Sequence, residues 1–252
     1  MYRIDLESVG STNTYAKELI LSKKAPEMPF LITSKEQTAG RGRTGHSFFS
    51  PKGTGIYMSV AGDFDMLEGC LSPTAAAAVA VHVSLAKLIG KDDDLKIKWV
   101  NDIYLNGKKC CGILTESFYD ENGKRYFITG TGINLYTKIF PDDISGTAGA
   151  VIERKDISEK LLDTLPEEIA EQFVKILCSG NNSHMNYYRE HSFIKPDDKE
   201  DRDVIRFTEG EIQQKAKVIR IDDDASLEIV LSNGQKKRVS SGEIEIKGVN
   251  YK

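Results

Sequence analysis

Leu95-Lys96-Ile97-Lys98-Trp99-Val100-Asn101-Asp102-Ile103-Tyr104-Leu105-Asn106-Gly107-Lys108-Lys109-Cys110-Cys111-Gly112-Ile113-Leu114-Thr115-Glu116 is the stretch whose reading decides the fold. Residues 95–100, 103–105 and 110–116 are short runs rich in apolar residues, so three strands are predicted in succession. Asn106-Gly107 favours the two positive φ angles of a tight hairpin and joins the second strand to the third. Asn101-Asp102 is a turn-forming pair between the first and second. The same stretch carries Lys98, Asn101, Asp102 and Lys109, so sheet and polar chemistry arrive together.

Toward the N-terminus, residues 2–6 alternate like a strand, and residues 30–34 and 55–60 read as two more. Ala16, Leu19 and Ile20 have helical spacing, which makes Ser11-Thr12-Asn13 a loop feeding a helix. Ser72-Pro73, an alanine-rich run and Gly90 supply a cap, a first-position proline and a terminal glycine, hence a second helix. Toward the C-terminus, residues 125–130 form a strand after an Asn-Gly turn. Residues 158–178 are helical, with an interruption expected at Pro166. Residues 196–203 are polar enough for a linker. Beyond them, short alternating strands with turns at Asp222-Asp223-Asp224 and Asn233-Gly234 read as a small β-barrel. The expected division is residues 1–200 and 201–252.

Bulk properties exclude several classes. A net charge of −4 gives no global basic field for nucleic acid or an anionic membrane. The apolar run at 75–81 is too short to span a bilayer. The N-terminus shows no secretory signal pattern. Cys70, Cys110, Cys111 and Cys178 have no CxxC spacing, and all four read as buried or inert thiols in a reducing cytoplasm.

Ala39-Gly40-Arg41-Gly42-Arg43-Thr44-Gly45 formally contains G-x-G-x-x-G, but His46-Ser47-Phe48-Phe49-Ser50-Pro51 follows where a dinucleotide site needs a helix. No Walker A motif occurs at Gly107-Lys108. What remains is a loop with unhindered backbone N–H groups and two guanidiniums. Such planar forks suit carboxylate and phosphate held together, although a solvated turn explains the same residues. Singly, Trp99 reads as core, Lys98 and Lys109 as surface lysines, and Asn101-Asp102 as a turn. No Ser-His-Asp, Cys-His or HExxH pattern appears.

Order and spacing change that reading. Ser11-Thr12-Asn13, Gln37 with the 39–45 loop, Ser50-Pro51, Lys98-Trp99-Val100-Asn101-Asp102-Ile103-Tyr104, Lys109 with Gly112-Ile113-Leu114, and Gly130-Thr131-Gly132-Ile133-Asn134 resemble the biotin protein ligases. The resemblance covers residues 8–134 and resumes at Gly242-Glu243-Ile244. It implies an α+β chain: a mixed β-sheet with helices on one face, of the class II synthetase-like biotin/lipoate ligase type. A small C-terminal SH3-like barrel follows it.

The resemblance also implies ATP-dependent activation of biotin as biotinyl-5'-AMP, then transfer to a lysine of a biotin carboxyl carrier protein. Ser11, Thr12, Asn13, Gln37, Gly40, Arg41, Gly42, Arg43, Lys109 and Gly112 fall where members bind biotin. Lys109, Arg43 and Arg41 fall where they act on the carboxylate and α-phosphate. Phe48, Asn101, Asp102 and Asn134 fall on the ATP and Mg²⁺ side, the metal arriving with ATP and not in a protein cage. Val100 departs from a usual proline, His46 from a usual basic residue, and Phe48 from a usual tryptophan. Residues 140–151 match the nucleotide-covering loop poorly.

The first motif begins at Ser11, so a form lacking the DNA-binding head of some members is expected, with no repressor role. A cytoplasmic protein is expected, with no nucleic-acid or membrane partner and a possible homodimer. The rivals are a lipoate ligase of the same fold, against which the 39–45 loop speaks, and a non-catalytic nucleic-acid-binding module, against which the acidic balance speaks.

Overall fold

The computed structural model describes residues 1–90, 94–152, 159–194, 196, 204–209, 212–240 and 243–246. Seven strands form the first sheet: β1 (Tyr2–Leu6), β2 (Phe30–Ser34), β3 (Ile56–Asp63), β4 (Leu95–Lys98), β5 (Asp102–Leu105), β6 (Lys108–Tyr119) and β7 (Arg125–Ile133). Their order is β1-β2-β3-β7-β6-β5-β4; β1 and β2 are parallel and every other pair is antiparallel, so the sheet is mixed. Asn106 and Gly107 both take positive φ in the β5–β6 hairpin, as their side chains favour. That hairpin fixes the register that follows. Gly112 pairs with Gly132, and Leu114 with Gly130, all on one face.

Helices α1 (Thr12–Leu21), α2 (Pro73–Ile89), α3 (Glu159–Leu177) and α4 (His184–His191) cover this sheet on both faces, not on one as the sequence reading expected. Phe30 and Ile32 of β2 pack with Ala16 and Ile20 of α1, whereas Leu31 and Val60 join the larger core beneath α2 and α3. Strands apolar at both parities need cover on both sides, and α1 supplies the second layer. The α2 boundaries match the capping signals: Ser72 accepts from the Ala75 N–H at 3.3 Å, and Gly90 ends the helix with φ 66°. Its alanines are almost fully buried and let the helix approach the sheet closely.

Pro166 lies inside α3 and does not break it. Its neighbour Leu165 is buried with Ile169, Ala170 and Phe173, and the Asp163 carbonyl nearby accepts from Arg3 Nη1. Burial of this apolar face outweighs the hydrogen bond that Pro166 cannot donate. Among the cysteines, Cys70, Cys110 and Cys111 are buried free thiols, but Cys178, expected to be buried or inert, is exposed just past the end of α3.

A second, antiparallel sheet contains β8 (Val204–Glu209), β9 (Ile212–Ile221), β10 (Leu227–Leu231), β11 (Lys236–Val239) and β12 (Glu243–Ile246), in the order β11-β10-β9-β8-β12. Its Ile205, Val218, Ile221, Leu227 and Ile244 are continuous with the large core of the first sheet. Most of the linker expected at 196–203 lies outside the described residues, as does Gly242. No helix among the described residues is long and apolar enough to cross a membrane.

Candidate active site

The N-terminus of α1 forms one end of the site. Ser11 caps it in extended backbone but makes no side-chain cap bond; Thr12 and Asn13 lie in the first turn, not in the loop expected before it. The Thr12 N–H donates to Gln37 Oε1 at 2.9 Å, and its hydroxyl donates to the same oxygen at 3.1 Å. Gln37 Nε2 donates to Ser50 Oγ at 3.0 Å, which holds the amide in one orientation. Beneath them, fully buried Ser59 places its hydroxyl 2.7 Å from both Thr12 Oγ1 and Asn13 Oδ1. The result is a neutral cradle of donors and acceptors, with Ser11, Thr12 and Asn13 all buried.

Paired glycines make its floor. A Cβ built on Gly130 would lie 2.3 Å from Asn13 Oδ1, and one on Gly132 would lie 2.5 Å from the Phe48 ring. Gly112 also faces Phe48, with Lys109 Cε close to the same point. No side chain fits beneath Asn13 and Phe48, so glycine is required by close approach here.

Cations line the same cavity. Residues 40–48 form a small hairpin: the Phe48 N–H donates to the Gly40 carbonyl at 2.9 Å, and the Gly42 N–H to the His46 carbonyl at 2.7 Å. From it, Arg41 Nη2 lies 3.2 Å from Glu116 Oε1, and Arg43 Nη1 donates to Asn101 Oδ1 at 3.1 Å. Asn101 is itself fixed by donating to the Ile113 carbonyl at 2.8 Å. Lys109 Nζ sits 2.8 Å from Asp102 Oδ1 across the β5–β6 pair. The lysine is about one-third exposed and the aspartate mostly buried, so the charge is held at the cavity wall, within reach of an entering anion.

These groups line one cavity of about 390 Å³, a size that suits a small ligand. Of the residues predicted from sequence, Ser11, Thr12, Asn13, Gln37, Arg41, Gly42, Arg43, Phe48, Asn101, Asp102, Lys109 and Gly112 all border it. Gly40 does not; a Cβ there would come within 2.5 Å of the Phe48 carbonyl, so it serves the root of the hairpin. Asn134 also stands back, just past β7. Its N–H donates to the Cys110 carbonyl at 2.8 Å, and its buried Oδ1 has no hydrogen-bond partner among the described residues. The 140–151 stretch folds against the cavity wall: the Lys109 N–H donates to the Thr147 carbonyl at 2.8 Å, and Thr147 borders the cavity.

Sequence reading missed Ser59, Glu116, Thr147 and the wall contributed by Ile244 of the second sheet. Glu116 had a legible signal, since Gly112, Leu114 and Glu116 alternate onto one strand face. Ser59 had none. Among the described residues, no three His, Cys, Asp or Glu side chains cluster as a metal site.

A mixed sheet thus carries a neutral hydrogen-bonding cradle, a glycine floor and a cationic loop around one cavity, and the comparisons give the family. Residues 6–134 match the model of the Biotin/lipoate A/B protein ligase family, and the chain belongs to that family. The Bifunctional ligase/repressor BirA of Bacillus subtilis (strain 168) is 38% identical over 164 residues, covering 61% of this chain and 49% of the relative. A Biotin--[acetyl-CoA-carboxylase] ligase of Paracoccus denitrificans is 35% identical over 104 residues, covering 41% of this chain and 43% of the relative. This chain thus spans about half the length of the curated relatives it matches. In fold, it superposes on the biotin protein ligase from Aquifex aeolicus in complex with biotin and ATP with a TM-score of 0.76. That match covers 98% of each chain at 22% identity.

Proposed function

We propose that the chain is an ATP-dependent biotin protein ligase. It forms biotinyl-5'-AMP from biotin and ATP and passes the biotinyl group to a lysine of a biotin carboxyl carrier protein domain. One observation carries the reading: a neutral hydrogen-bonding cradle and a cluster of cations line one glycine-floored cavity. Biotin has that polarity, with a ureido ring at one end and a carboxylate at the other. Lipoate's dithiolane offers no comparable donors or acceptors to a wall lined with them, a mismatch that favours biotin.

In the first step a biotin carboxylate oxygen bonds to the α-phosphorus of ATP, and the bond from that phosphorus to the bridging oxygen breaks, releasing pyrophosphate. Two anions must approach, so fixed positive charge at the meeting point is the main requirement. Lys109, held by Asp102, and Arg41 and Arg43, carried by the loop, supply it. In the second step the carrier's amine nitrogen attacks the acyl carbon, AMP leaves, and the amine loses a proton. No protein nucleophile is needed.

Asn101, Asp102 and Asn134 serve the nucleotide side. Asp102 suits a Mg²⁺ carried in by ATP, which neutralises phosphate charge when bound. Phe48 supplies an aromatic wall over Gly112 and Gly132. In the same reading, residues 1–200 are the catalytic domain, and 201–252 an SH3-like barrel that closes the cavity with Ile244. Four free cysteines suit a reducing cytoplasm, and a homodimer through a sheet edge is part of the proposal.

The test is exchange of labelled pyrophosphate into ATP, since adenylation is reversible. Biotin should drive the exchange. Exchange driven by lipoate instead would move the protein to the other branch of its family. With neither acid active, the adenylating reading fails.

A further inference from the structure

A polar chain runs along the cavity floor and ends on a carboxylate that the two-step reaction does not use. Ser59 meets Asn13 Oδ1 at 2.7 Å. Asn13 Nδ2 donates to the Leu114 carbonyl at 3.2 Å and to Glu116 Oε2 at 2.9 Å. The other oxygen, Glu116 Oε1, lies 3.2 Å from Arg41 Nη2. One side chain thus grips both the cradle and the mobile cation.

We propose that Glu116 is a positioning residue that sets the Asn13 amide for the acid's ring and latches Arg41 until the anionic substrate arrives. The identity of that acid rests on the ligase reading above. Both Asn13 amide hydrogens point at acceptors, a carbonyl and a carboxylate. A flipped amide would set its oxygen against those two acceptors, so the flip is closed off and Asn13 Oδ1 stays on the Ser59 side. The contact to Arg41 is of another kind. The arginine side chain is 54% exposed and the glutamate 33%, so solvent screens the pair. Such a pair biases the loop but yields to an anion that binds the guanidinium bidentately. Ligand entry therefore exchanges one carboxylate for another at Arg41, while Asn13 keeps its partner.

The two contacts separate in two variants of the full chain. Glu116→Gln retains an oxygen for the Asn13 amide but has no charge for Arg41. Amide hydrogen exchange over residues 41–47 of the ligand-free protein should then quicken several-fold, with KM for biotin within about threefold of wild type. Glu116→Ala loses both contacts. KM for biotin should rise by about tenfold, with kcat for pyrophosphate exchange changed by much less. A purely structural role would instead lower the thermal midpoint of both variants and leave KM and local exchange alone. Wild-type exchange over 41–47 in Glu116→Gln, together with wild-type KM in Glu116→Ala, overturns the proposal. Should Glu116→Ala not fold, KM for Glu116→Gln replaces it: a rise of tenfold or more despite the retained oxygen contradicts the assigned division of labour. The exchange measurement needs no substrate, so the latch is decided even where biotin proves the wrong acid.

Discussion

In the proposed reaction, Lys109 is the residue on which the chemistry depends most. Its ammonium is the only lysine charge that β6 presents to the cavity, and Asp102 holds it at 2.8 Å. Lys109→Ala should slow adenylation by about two to three orders of magnitude, the usual cost of losing one preorganised charge donor. Single-turnover formation of biotinyl-5'-AMP measures it, and an unchanged rate would return Lys109 to the status of a surface lysine. Gly130 tests the cradle from below. A methyl there would stand 2.3 Å from Asn13 Oδ1, so the amide must leave its place. Gly130→Ala should lower biotin affinity by about tenfold or more and cost about 1–3 kcal/mol of stability through overpacking. Calorimetric titration beside a thermal melt separates the two effects; undiminished affinity would show that Asn13 does not contact the acid.

Among the elements, the 40–48 hairpin is the one that the proposed reaction would order over its ligands. Gly42 and Gly45 make its backbone costly to order, and Gly45 takes φ 83°. Its root is pinned by the Phe48–Gly40 hydrogen bond, whereas the Arg41 side chain at its edge meets Glu116 in a screened ion pair. Biotin with ATP should therefore protect the amides of residues 41–47 from hydrogen exchange more than it protects the root. Equal protection with and without ligands would leave the arginines as a static surface. Ordering over the adenylate would also shield the mixed anhydride from water. This element was legible in sequence as a flexible cationic loop, because glycine and arginine act locally. Its partners Glu116 and Asn101 lie 75 and 58 residues away from Arg41 and Arg43, and no local pattern connects them.

For the whole molecule, the two sheets share one core and several polar ties. Trp99 Nε1 donates to the Ala225 carbonyl at 2.6 Å, and Arg189 Nε donates to the Ile221 carbonyl at 2.8 Å while its Nη2 pairs with Asp223. At this junction His184 opens α4 as a buried side chain, with neither ring nitrogen hydrogen-bonded among the described residues. Burial holds its pKa below the ordinary 6.5; Asp223 opposes that shift and Arg189 adds to it. A depressed folded value means the unfolded chain binds more protons between the two values. This contribution to stability is therefore complete above about pH 6.5 and declines as pH falls toward the folded value. The thermal midpoint should drop between about pH 7.5 and pH 5.5, and His184→Met should flatten that drop. An identical slope in the variant would assign the acid sensitivity elsewhere.

By itself the sequence determined what depends on neighbours along the chain. The Asn106-Gly107 hairpin, the Ser72-to-Gly90 helix and the strands β1, β2 and β6 all follow from backbone propensity and short-range pattern. So do the residue types of the site, because anions call for arginine and lysine on flexible or glycine-lined backbone. Tertiary structure decided the rest. Register set Gly112 against Gly132 and Ser59 against Gly130, and so built the floor and the buried hydroxyl that steers Thr12 and Asn13. Layering placed α1 alone on the second face and kept α3 intact through Pro166, because burying apolar surface outweighed a local break signal. Closure brought Ile244 to the cavity and Ala225 to Trp99 from more than a hundred residues away, since a cavity wall is set by which surfaces meet and not by sequence distance.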